Sequence, residues 1–366
     1  MIYPAIRRIA ARTSLGDWPT TWTGLLAARS VWTSTSVLAG LDIVELNVGA
    51  IANLNRELFG TGEGPALRLA RSVLNDVEPD GDTPLYVGSN HSEAELVRTL
   101  LGEPTPGQGV AMLDDRITPA QSVRPLRSYA ACAAGLHALI AAAHDLVESD
   151  APRRALVLAV DALSVIETMG FTRAGALSAQ GARPFSVERD GLTIGEGAVL
   201  VELDRFPEAH HVRILGIGMS CDAFHPTDPD PSGQPLQRAI RMAMTDAGLD
   251  STKIAAIVAH GTGTPKGDEA ETAALIAIWG LRPPPVTSVK GSVGHLMGAA
   301  GLLNLAVACE ISRTGLAPPT CEIADHQHLG DWVVTGSSRA VPCGAPVICL
   351  ASGFGGNNVA IVVGKS

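Results

Sequence analysis

Residues 128–144 read SYAACAAGLHALIAAAH and contain the clearest local signal in the chain. Apolar side chains recur there at spacings of three and four residues, which predicts a buried helix. The periodicity puts Cys132 at or just before the first turn, where backbone N–H groups and the helix dipole favour a thiolate. A buried, inert cysteine is the alternative interpretation. The periodicity is carried by Leu136, Leu139, Ile140 and Ala143.

Short β-rich runs alternate with helical runs on both sides of this segment, which predicts an α/β fold with mostly buried strands. A second helix is expected at 236–247, with Pro235 in its first turn and Gly248 at its end. A Pro/Asp-rich surface loop at 222–234 lies near the middle of the chain, and we expect two halves, 1–205 and 206–366. No strand is predicted before residue 84. The predicted strands span 84–88, 155–160, 198–203, 212–217, 254–259, 347–351 and 359–363.

The composition excludes several classes of protein. A chain of 366 residues that is 46% hydrophobic can bury a sizeable core, so it is not disordered. Its net charge of −10 and its lack of basic blocks argue against nucleic-acid binding. No apolar run reaches the roughly 18 residues of a membrane helix. Six cysteines without CxxC spacing predict reduced thiols in a cytoplasmic protein.

Two glycine-rich stretches and two histidine pairs are weak signals. Residues 60–64 and 216–221 each match part of a dinucleotide-binding fingerprint, but the first follows no strand and the second lacks the third glycine. We therefore interpret both as turns. The histidines at 210–211 and 326–328 have no cysteine or carboxylate at ligand spacing, which favours solvated loops over a metal site.

A second reactive segment spans 259–271, where a predicted strand ends in His260 and a turn of small residues leads into a helix. Asp268 and Glu271 fall in the first turns of that helix. A histidine at the end of a strand, beside a glycine-rich turn, can face a cleft. A core histidine bonded to the backbone is the alternative.

A third segment spans 288–301 and places Lys290 five residues before His295, at the entrance of a helix crowded with tiny residues. Such a helix can approach another helix closely, so the site beside it is expected to be buried. Burial disfavours the charged imidazole, and we expect His295 to be neutral.

Four further motifs complete a pattern: RPF at 183–185, RDG at 189–191, GEG at 195–197 and SGFGGNN at 352–358. With the three segments above, in this order and at these separations, they resemble the β-ketoacyl synthase, or condensing enzyme, family. The resemblance runs from about residue 128 to the C-terminus. It implies a thiolase-like α/β/α/β/α sandwich of two related halves, with a Cys-His-His site between them.

The resemblance also implies roles for individual residues. Cys132 is the nucleophile that takes an acyl group from a carrier-protein thioester, while His260 and His295 bind the malonyl thioester and stabilise its enolate. Lys290 supports the histidines and is itself held by Glu271, with Asp268 nearby. The backbone N–H groups of Cys132 and Phe354 form the oxyanion hole, and Phe354 gates acyl entry between flanking glycines. Neither a metal nor another cofactor is required.

The chain departs from the family pattern before its cysteine. No Gly-Pro strand precedes Cys132, and alanines replace the neighbouring hydroxyl residues, which favours a stand-alone or type II enzyme over a modular polyketide synthase domain. Residues 1–127 resemble the family little. The proline-containing segment 90–127 stands where relatives build much of the dimer interface and the cap of the acyl tunnel.

The resulting hypothesis is decarboxylative condensation in fatty-acid or polyketide-type biosynthesis. Two alternatives remain: acyl transfer without decarboxylation on the same scaffold, and a non-catalytic partner of the chain-length-factor kind. The expected partners are acyl- and malonyl-loaded carrier protein, and a second subunit in a homodimer or in a heterodimer with another ketosynthase-like chain. Because carrier proteins are acidic, we expect a local basic docking patch. Its candidates are Arg7, Arg8, Arg124 and Arg127.

Overall fold

The computed structural model describes residues 2–35, 46–52, 54, 65–77, 83–90, 126–148, 151–163, 165–206, 211–321 and 329–365. Short 3-10 helices lie at Ala131–Ala133, Ser251–Lys253 and Met297–Ala299. The α-helices are α1 (Trp18–Leu26), α2 (Pro65–Leu74), α3 (Ala134–Asp145), α4 (Val165–Arg173), α5 (Gln234–Asp246), α6 (Pro265–Trp279), α7 (Lys290–Val293) and α8 (Ala300–Thr314). The strands are β1 (Ala5–Thr13), β2 (Gly16–Asp17), β3 (Thr33–Thr35), β4 (Leu46–Val48), β5 (Leu85–Gly88), β6 (Leu126–Ser128), β7 (Arg154–Asp161), β8 (Gly197–Asp204), β9 (Val212–Cys221), β10 (Ala256–Val258), β11 (Val286–Thr287), β12 (Leu316–Ala317), β13 (Arg339–Ala340), β14 (Val347–Gly353) and β15 (Asn357–Gly364).

The main sheet repeats one topology twice. Its strand order is β11-β10-β14-β15-β9-β1-β8-β7-β5-β6, with β2 beside β1. Strands β1, β5, β6, β7 and β8 have the same order and the same parallel or antiparallel pairings as β9, β10, β11, β14 and β15. Among the described residues, the two sets pair with each other only between β1 and β9, over two residues: Ala5 with Arg213 and Ile6 with Val212. The fold is therefore built from two related halves, as predicted.

Helices form layers inside and outside these two sets of strands. The inner core contains α3 and α8 together with one face of each set, including Val157 and Cys349. On the outer faces, α2 packs against residues such as Leu158, and α5 packs against residues such as Ile348. Alternate strand residues point to opposite faces, and strands buried on both faces read as continuous apolar runs. This arrangement is the predicted thiolase-like α/β/α/β/α sandwich.

The two central helices touch through glycines. A Cβ added to Gly135 of α3 would lie 2.8 Å from the carbonyl oxygen of Gly298, and one added to Gly301 of α8 would lie 2.8 Å from Cγ of Leu136. The tiny residues of the third segment thus allow the close helix approach that the sequence predicted. This approach brings the start of α3, with Cys132, to the start of α8.

The seven predicted strands are all present, as β5, β7, β8, β9, β10, β14 and β15, with ends displaced by a few residues. The predicted helix at 236–247 is α5, and Gly248 follows it with a φ of 67°. The stretch 216–221 is not a turn as predicted but part of strand β9. Its glycines serve packing, because a Cβ on Gly218 would lie 2.0 Å from the carbonyl oxygen of Ala239 on α5.

Strand β1 was not predicted. Its arginines interrupt the apolar alternation, but Arg7 is neutralised across the sheet by Glu202 of β8 at 2.8 Å.

The sequence signals at 60–64, at His210, at 326–328 and over most of 90–127 lie outside the described residues. The boundary between halves at 205/206 stays a prediction. In the described ranges, no helix is both long and apolar enough to cross a membrane.

Candidate active site

Cys132 lies in the short turn that leads into the central helix α3. Ala131 before it has a φ of 49°, a left-handed conformation uncommon for a residue with a side chain, and the 3-10 turn Ala131–Ala133 continues directly into α3. The cysteine is 5% exposed. Burial raises the pKa of its thiol to about 12, although the positive charge of Lys290 acts in the opposite direction. The expected thiolate is therefore wrong for the resting site, because desolvation outweighs the helix terminus.

His260 follows strand β10 and is held through its backbone. Glu271 of α6 accepts the N–H groups of His260 and Gly261 at 2.8 and 2.7 Å, one on each carboxylate oxygen. The ammonium group of Lys290 donates to the carbonyl oxygen of His260. Glu271 and Lys290 thus support His260 from its two ends. We expected Glu271 to hold Lys290 directly. Instead, each of the two side chains binds the backbone of His260.

Asp268 shapes the turn after His260. Its Oδ1 accepts the N–H groups of Thr262 and Gly263 at 3.0 and 3.1 Å, and its Oδ2 accepts that of Phe185 at 2.6 Å. Burial nevertheless raises the pKa of Asp268 to about 6. The RPF motif at 183–185 and the turn after His260 are therefore connected by one buried carboxyl group.

His295 is 2% exposed and its orientation is fixed by the next turn. Its Nδ1 accepts the N–H of Met297 at 3.2 Å, so the neutral ring carries its proton on Nε2. The rings of His260 and His295 lie edge to face, with centroids 5.3 Å apart. Burial, reinforced by the charge of Lys290, lowers the pKa of both histidines well below the usual value. These shifts favour the neutral form of both rings, which is the form expected for His295.

Lys290 begins helix α7 and is 1% exposed. Burial lowers its pKa, while the charge of Glu271 favours its protonated form. Burial also raises the pKa of Glu271, against the effect of the two N–H groups that it accepts. Cys132, His260 and His295 are therefore buried side chains, and the positive charge of Lys290 acts on all three.

One cavity of about 380 Å³ unites the predicted residues. Cys132, His260, His295, Glu271 and Phe354 all line it. Lys290 and Asp268 lie behind its wall, bonded to the backbone around His260. Two elements outside the motifs also line the cavity: Phe171 of α4, and Asp222 with residues 227–230 of the Pro/Asp-rich loop. Thr262 and Thr264 of the second reactive segment line it as well.

Phe354 stands at the mouth and is 41% exposed. Gly355 and Gly356 after it both have φ values of 80°, which only glycine adopts easily. Gly353 before it lies against the nucleophile, since a Cβ there would be 3.2 Å from the nitrogen of Cys132. The Phe354 ring contacts Phe171, with centroids 5.4 Å apart. Phe354 is thus an exposed aromatic next to three glycines, and its role as a gate stays a prediction.

Of the predicted basic docking residues, the three that the structure describes do not line this cavity. Arg7 is bound by both carboxylate oxygens of Glu202, at 2.8 and 2.9 Å, and Arg8 donates to the carbonyl oxygen of Asp76. Arg127 lies in strand β6, and Arg124 is outside the described residues. The cavity is lined instead by one cation, Lys266, and by the acidic residues Asp190, Asp222, Asp228, Asp230 and Glu271. In the described part of the chain, no group of three or more His, Cys, Asp or Glu side chains is arranged to hold a metal ion.

Comparison with known proteins gives a consistent result. Residues 126–209 match the family model "Beta-ketoacyl synthase, N-terminal domain", and residues 211–324 match "Beta-ketoacyl synthase, C-terminal domain". The 3-oxoacyl-[acyl-carrier-protein] synthase 2 of Vibrio harveyi is 32% identical over 345 residues, covering 89% of this chain and 78% of that protein.

Other relatives match over a shorter span. The protein of the same name from Vibrio cholerae is 32% identical over 248 residues, and the match spans 63% of this chain and 60% of that relative. Among solved structures, a chain of "The ishigamide ketosynthase/chain length factor" superposes with a TM-score of 0.83 at 25% identity, covering 100% of this chain and 99% of that one. The motifs, the repeated topology and these matches agree: the chain belongs to the β-ketoacyl synthase family.

Proposed function

We propose that this chain is a β-ketoacyl–carrier-protein synthase that condenses a Cys132-bound acyl group with malonyl-carrier protein, with loss of CO₂, in fatty-acid or polyketide-type biosynthesis. One observation carries the proposal: a buried thiol and two neutral imidazoles line the same cavity. The reaction must stabilise an enolate and a tetrahedral oxyanion, and neutral hydrogen-bond donors in a dry site suit both.

In the first half-reaction, Sγ of Cys132 attacks the carbonyl carbon of the acyl thioester. A new S–C bond forms, the bond to the carrier's sulfur breaks, and a neutral imidazole transfers the thiol proton to the leaving sulfur. A base is needed because the resting thiol is protonated. The N–H groups of Cys132 and Phe354 would bind the oxyanion, and loss of one such donor typically costs about 2.7–4 kcal/mol.

In the second half-reaction, the malonyl thioester oxygen accepts hydrogen bonds from Nε2–H of His295 and from His260. The bond to the carboxylate breaks, CO₂ leaves, and the electron pair enters an enolate. The enolate carbon attacks the acyl carbon, the S–C bond to Cys132 breaks, and the released thiolate takes a proton from solvent. Lys290, Glu271 and Asp268 keep the backbone around His260 in place.

The proposed partners are acyl- and malonyl-loaded carrier protein. Both Vibrio relatives are named for action on the carrier, which supports this choice. A second ketosynthase-like subunit is proposed as well, because the ishigamide ketosynthase was solved with its chain length factor. A homodimer is the alternative. We also propose that the halves 1–205 and 206–366 each contribute one side of the cavity, with the cysteine in one and the histidines in the other.

Two competing functions use the same residues differently. Acyl transfer without decarboxylation would need Cys132 and a single base, so the presence of two histidines in the cavity favours condensation. A non-catalytic partner of the chain-length-factor kind would have no use for a nucleophile, whereas here Cys132 is present and faces the cavity.

The test follows both half-reactions by intact-protein mass spectrometry. The wild-type protein, Cys132→Ala and the matched control Cys343→Ala, which removes an exposed thiol, are incubated with acyl-carrier-protein thioesters. We expect an acyl adduct in all but Cys132→Ala, and its discharge with CO₂ release when malonyl-carrier protein is added. Discharge only onto an amine, alcohol or thiol would indicate simple acyl transfer. The absence of any adduct would indicate the non-catalytic partner.

A further inference from the structure

A buried carboxylate outside the family motifs contacts the active-site turn. Asp161 ends strand β7 and is completely buried. Its Oδ1 accepts the hydroxyl of Ser89 at 2.8 Å and the N–H of Asn90 at 3.0 Å. Its Oδ2 accepts the N–H of Gly298 at 2.7 Å. One side chain therefore joins the ends of two neighbouring strands to the turn that precedes α8.

That turn also holds His295. The N–H of Met297 donates to Nδ1 of His295, and the N–H of the next residue, Gly298, donates to Asp161. Met297 has a φ of 49°, a conformation that costs energy for a residue with a side chain and persists only when its surroundings fix it. The short, charge-assisted bond from Gly298 to Asp161 is such a constraint.

We propose that Asp161 is a positioning residue for His295: by holding the Met297–Gly298 turn, it keeps the Met297 N–H on Nδ1 and thereby keeps the reactive proton on Nε2. Asp161 does not touch the substrate and acts through two consecutive peptide groups. The proposal rests on the proposed function only for its kinetic readout, because the protonation pattern of His295 can be measured without turnover.

A second acid supports this arrangement. The side-chain amide of Asn90 donates to Oε1 of Glu167 at 3.0 Å, while the N–H of Asn90 contacts both oxygens of Asp161. Burial, reinforced by the charge of Asp161, raises the pKa of Glu167 to about 8. Burial and the nearby Asp161 thus both favour the protonated form of Glu167.

The critical variant is Asp161→Asn, which keeps the side-chain shape. It offers a single acceptor oxygen to donors that bind two carboxylate oxygens in the wild type. Tyr86→Phe is the matched control. It lies on the neighbouring strand β5 and removes a hydrogen bond of 2.6 Å to Asp145, far along the chain from the turn. Both variants are compared with wild type for thermal unfolding, Cys132 acylation, condensation, and the nitrogen signals of His295 in ¹⁵N-histidine NMR.

We expect Asp161→Asn to shift the His295 signals from the Nε2–H form towards a mixture, and to lower kcat for condensation by about tenfold or more. Acylation should not fall, because the charge of Asp161 raises the pKa of the Cys132 thiol and its removal favours the thiolate. Tyr86→Phe should match wild type in acylation, condensation and the His295 signals, and should only lower the unfolding temperature through its lost hydrogen bond. Unaltered His295 signals in a folded Asp161→Asn protein would overturn the proposal. An equal loss of acylation and condensation would overturn it too. If wild type does not condense, the proposed function fails, but a tautomer shift in Asp161→Asn would still support the positioning role.

Discussion

Glu271 accepts the backbone N–H of His260 at 2.8 Å, so a buried carboxylate on helix α6 sets the position of a histidine that follows strand β10. Its second oxygen accepts the N–H of Gly261 at 2.7 Å. Lys290 donates to the carbonyl oxygen of the same histidine, and Asn304 donates to that of Ala259 at 3.0 Å. The N–H and the carbonyl oxygen of His260 are thus both bonded to buried side chains. These bonds fix the position of the imidazole without any contact to the ring.

Replacement of Glu271 by Gln should disturb both stability and catalysis. The amide offers one oxygen to two buried N–H donors and turns its own NH₂ group towards one of them. We expect a loss of about 2–3 kcal/mol in the free energy of unfolding, measured by urea denaturation, and about tenfold or more in kcat. Glu269→Gln, on the same helix but exposed and paired with Arg189, is the control and should cost at most about 1 kcal/mol. Equal effects of the two substitutions would contradict this account.

The Cys132 thiol should react slowly with alkylating reagents in the free protein. With a pKa of about 12, only about one molecule in ten thousand carries a thiolate at pH 8. The alkylation rate, followed at Cys132 by peptide mass spectrometry, should rise about tenfold per pH unit from pH 7 to 10. Lys290→Met should slow it further, because the lysine charge lowers the pKa of this thiol. A plateau above pH 9 would show that the thiol is far more acidic than its burial implies.

Both active-site histidines should stay neutral when the pH falls from 8 to 5.5. Burial lowers their pKa values well below 6.5, and Lys290 adds repulsion, so protonation is displaced to more acidic conditions. The check is an NMR titration of the imidazole signals, assigned with His260→Asn and His295→Asn variants. A charge transition of either ring between pH 6 and 7 would disagree with a dry site.

The residues of the candidate site differ in how visible they are in the sequence. Cys132, His260 and Lys290 each stand in a contiguous motif of small residues, so local patterns marked them as candidates and the family resemblance supplied their expected roles. Asn304 interrupts an apolar helix, and such a buried polar residue must find a partner. It does so at the carbonyl oxygens of Ala259 and Leu350, which only the folded chain brings within reach.

Other features depended on contacts between distant parts of the chain. Strand β1 is stabilised by the pairing of Arg7 with Glu202, 195 positions away, which no local periodicity can reveal. The loop 222–234 was predicted as a surface loop, but part of it lines the cavity. The N–H of Gly355 donates to the carbonyl oxygen of Pro226 at 2.8 Å and draws the loop onto the Phe354 turn.

The contact between the central helices gives a last prediction, Gly135→Ala. A Cβ at Gly135 would meet the Cβ of Ala159 and the carbonyl oxygen of Gly298, both at 2.8 Å, and the backbone oxygen cannot move aside without displacing the turn that holds His295. We expect a loss of about 1–3 kcal/mol in the free energy of unfolding, measured by urea denaturation, together with reduced condensation. Gly170→Ala is the matched control, because it also lies within a helix but has nothing within 4 Å of the added atom. At Gly170 the methyl group should raise stability by about 0.5–1 kcal/mol, since alanine loses less backbone entropy on folding. If the Gly135→Ala protein is as stable as wild type, the two central helices can move apart. In that case their close approach is not what brings Cys132 next to the two histidines.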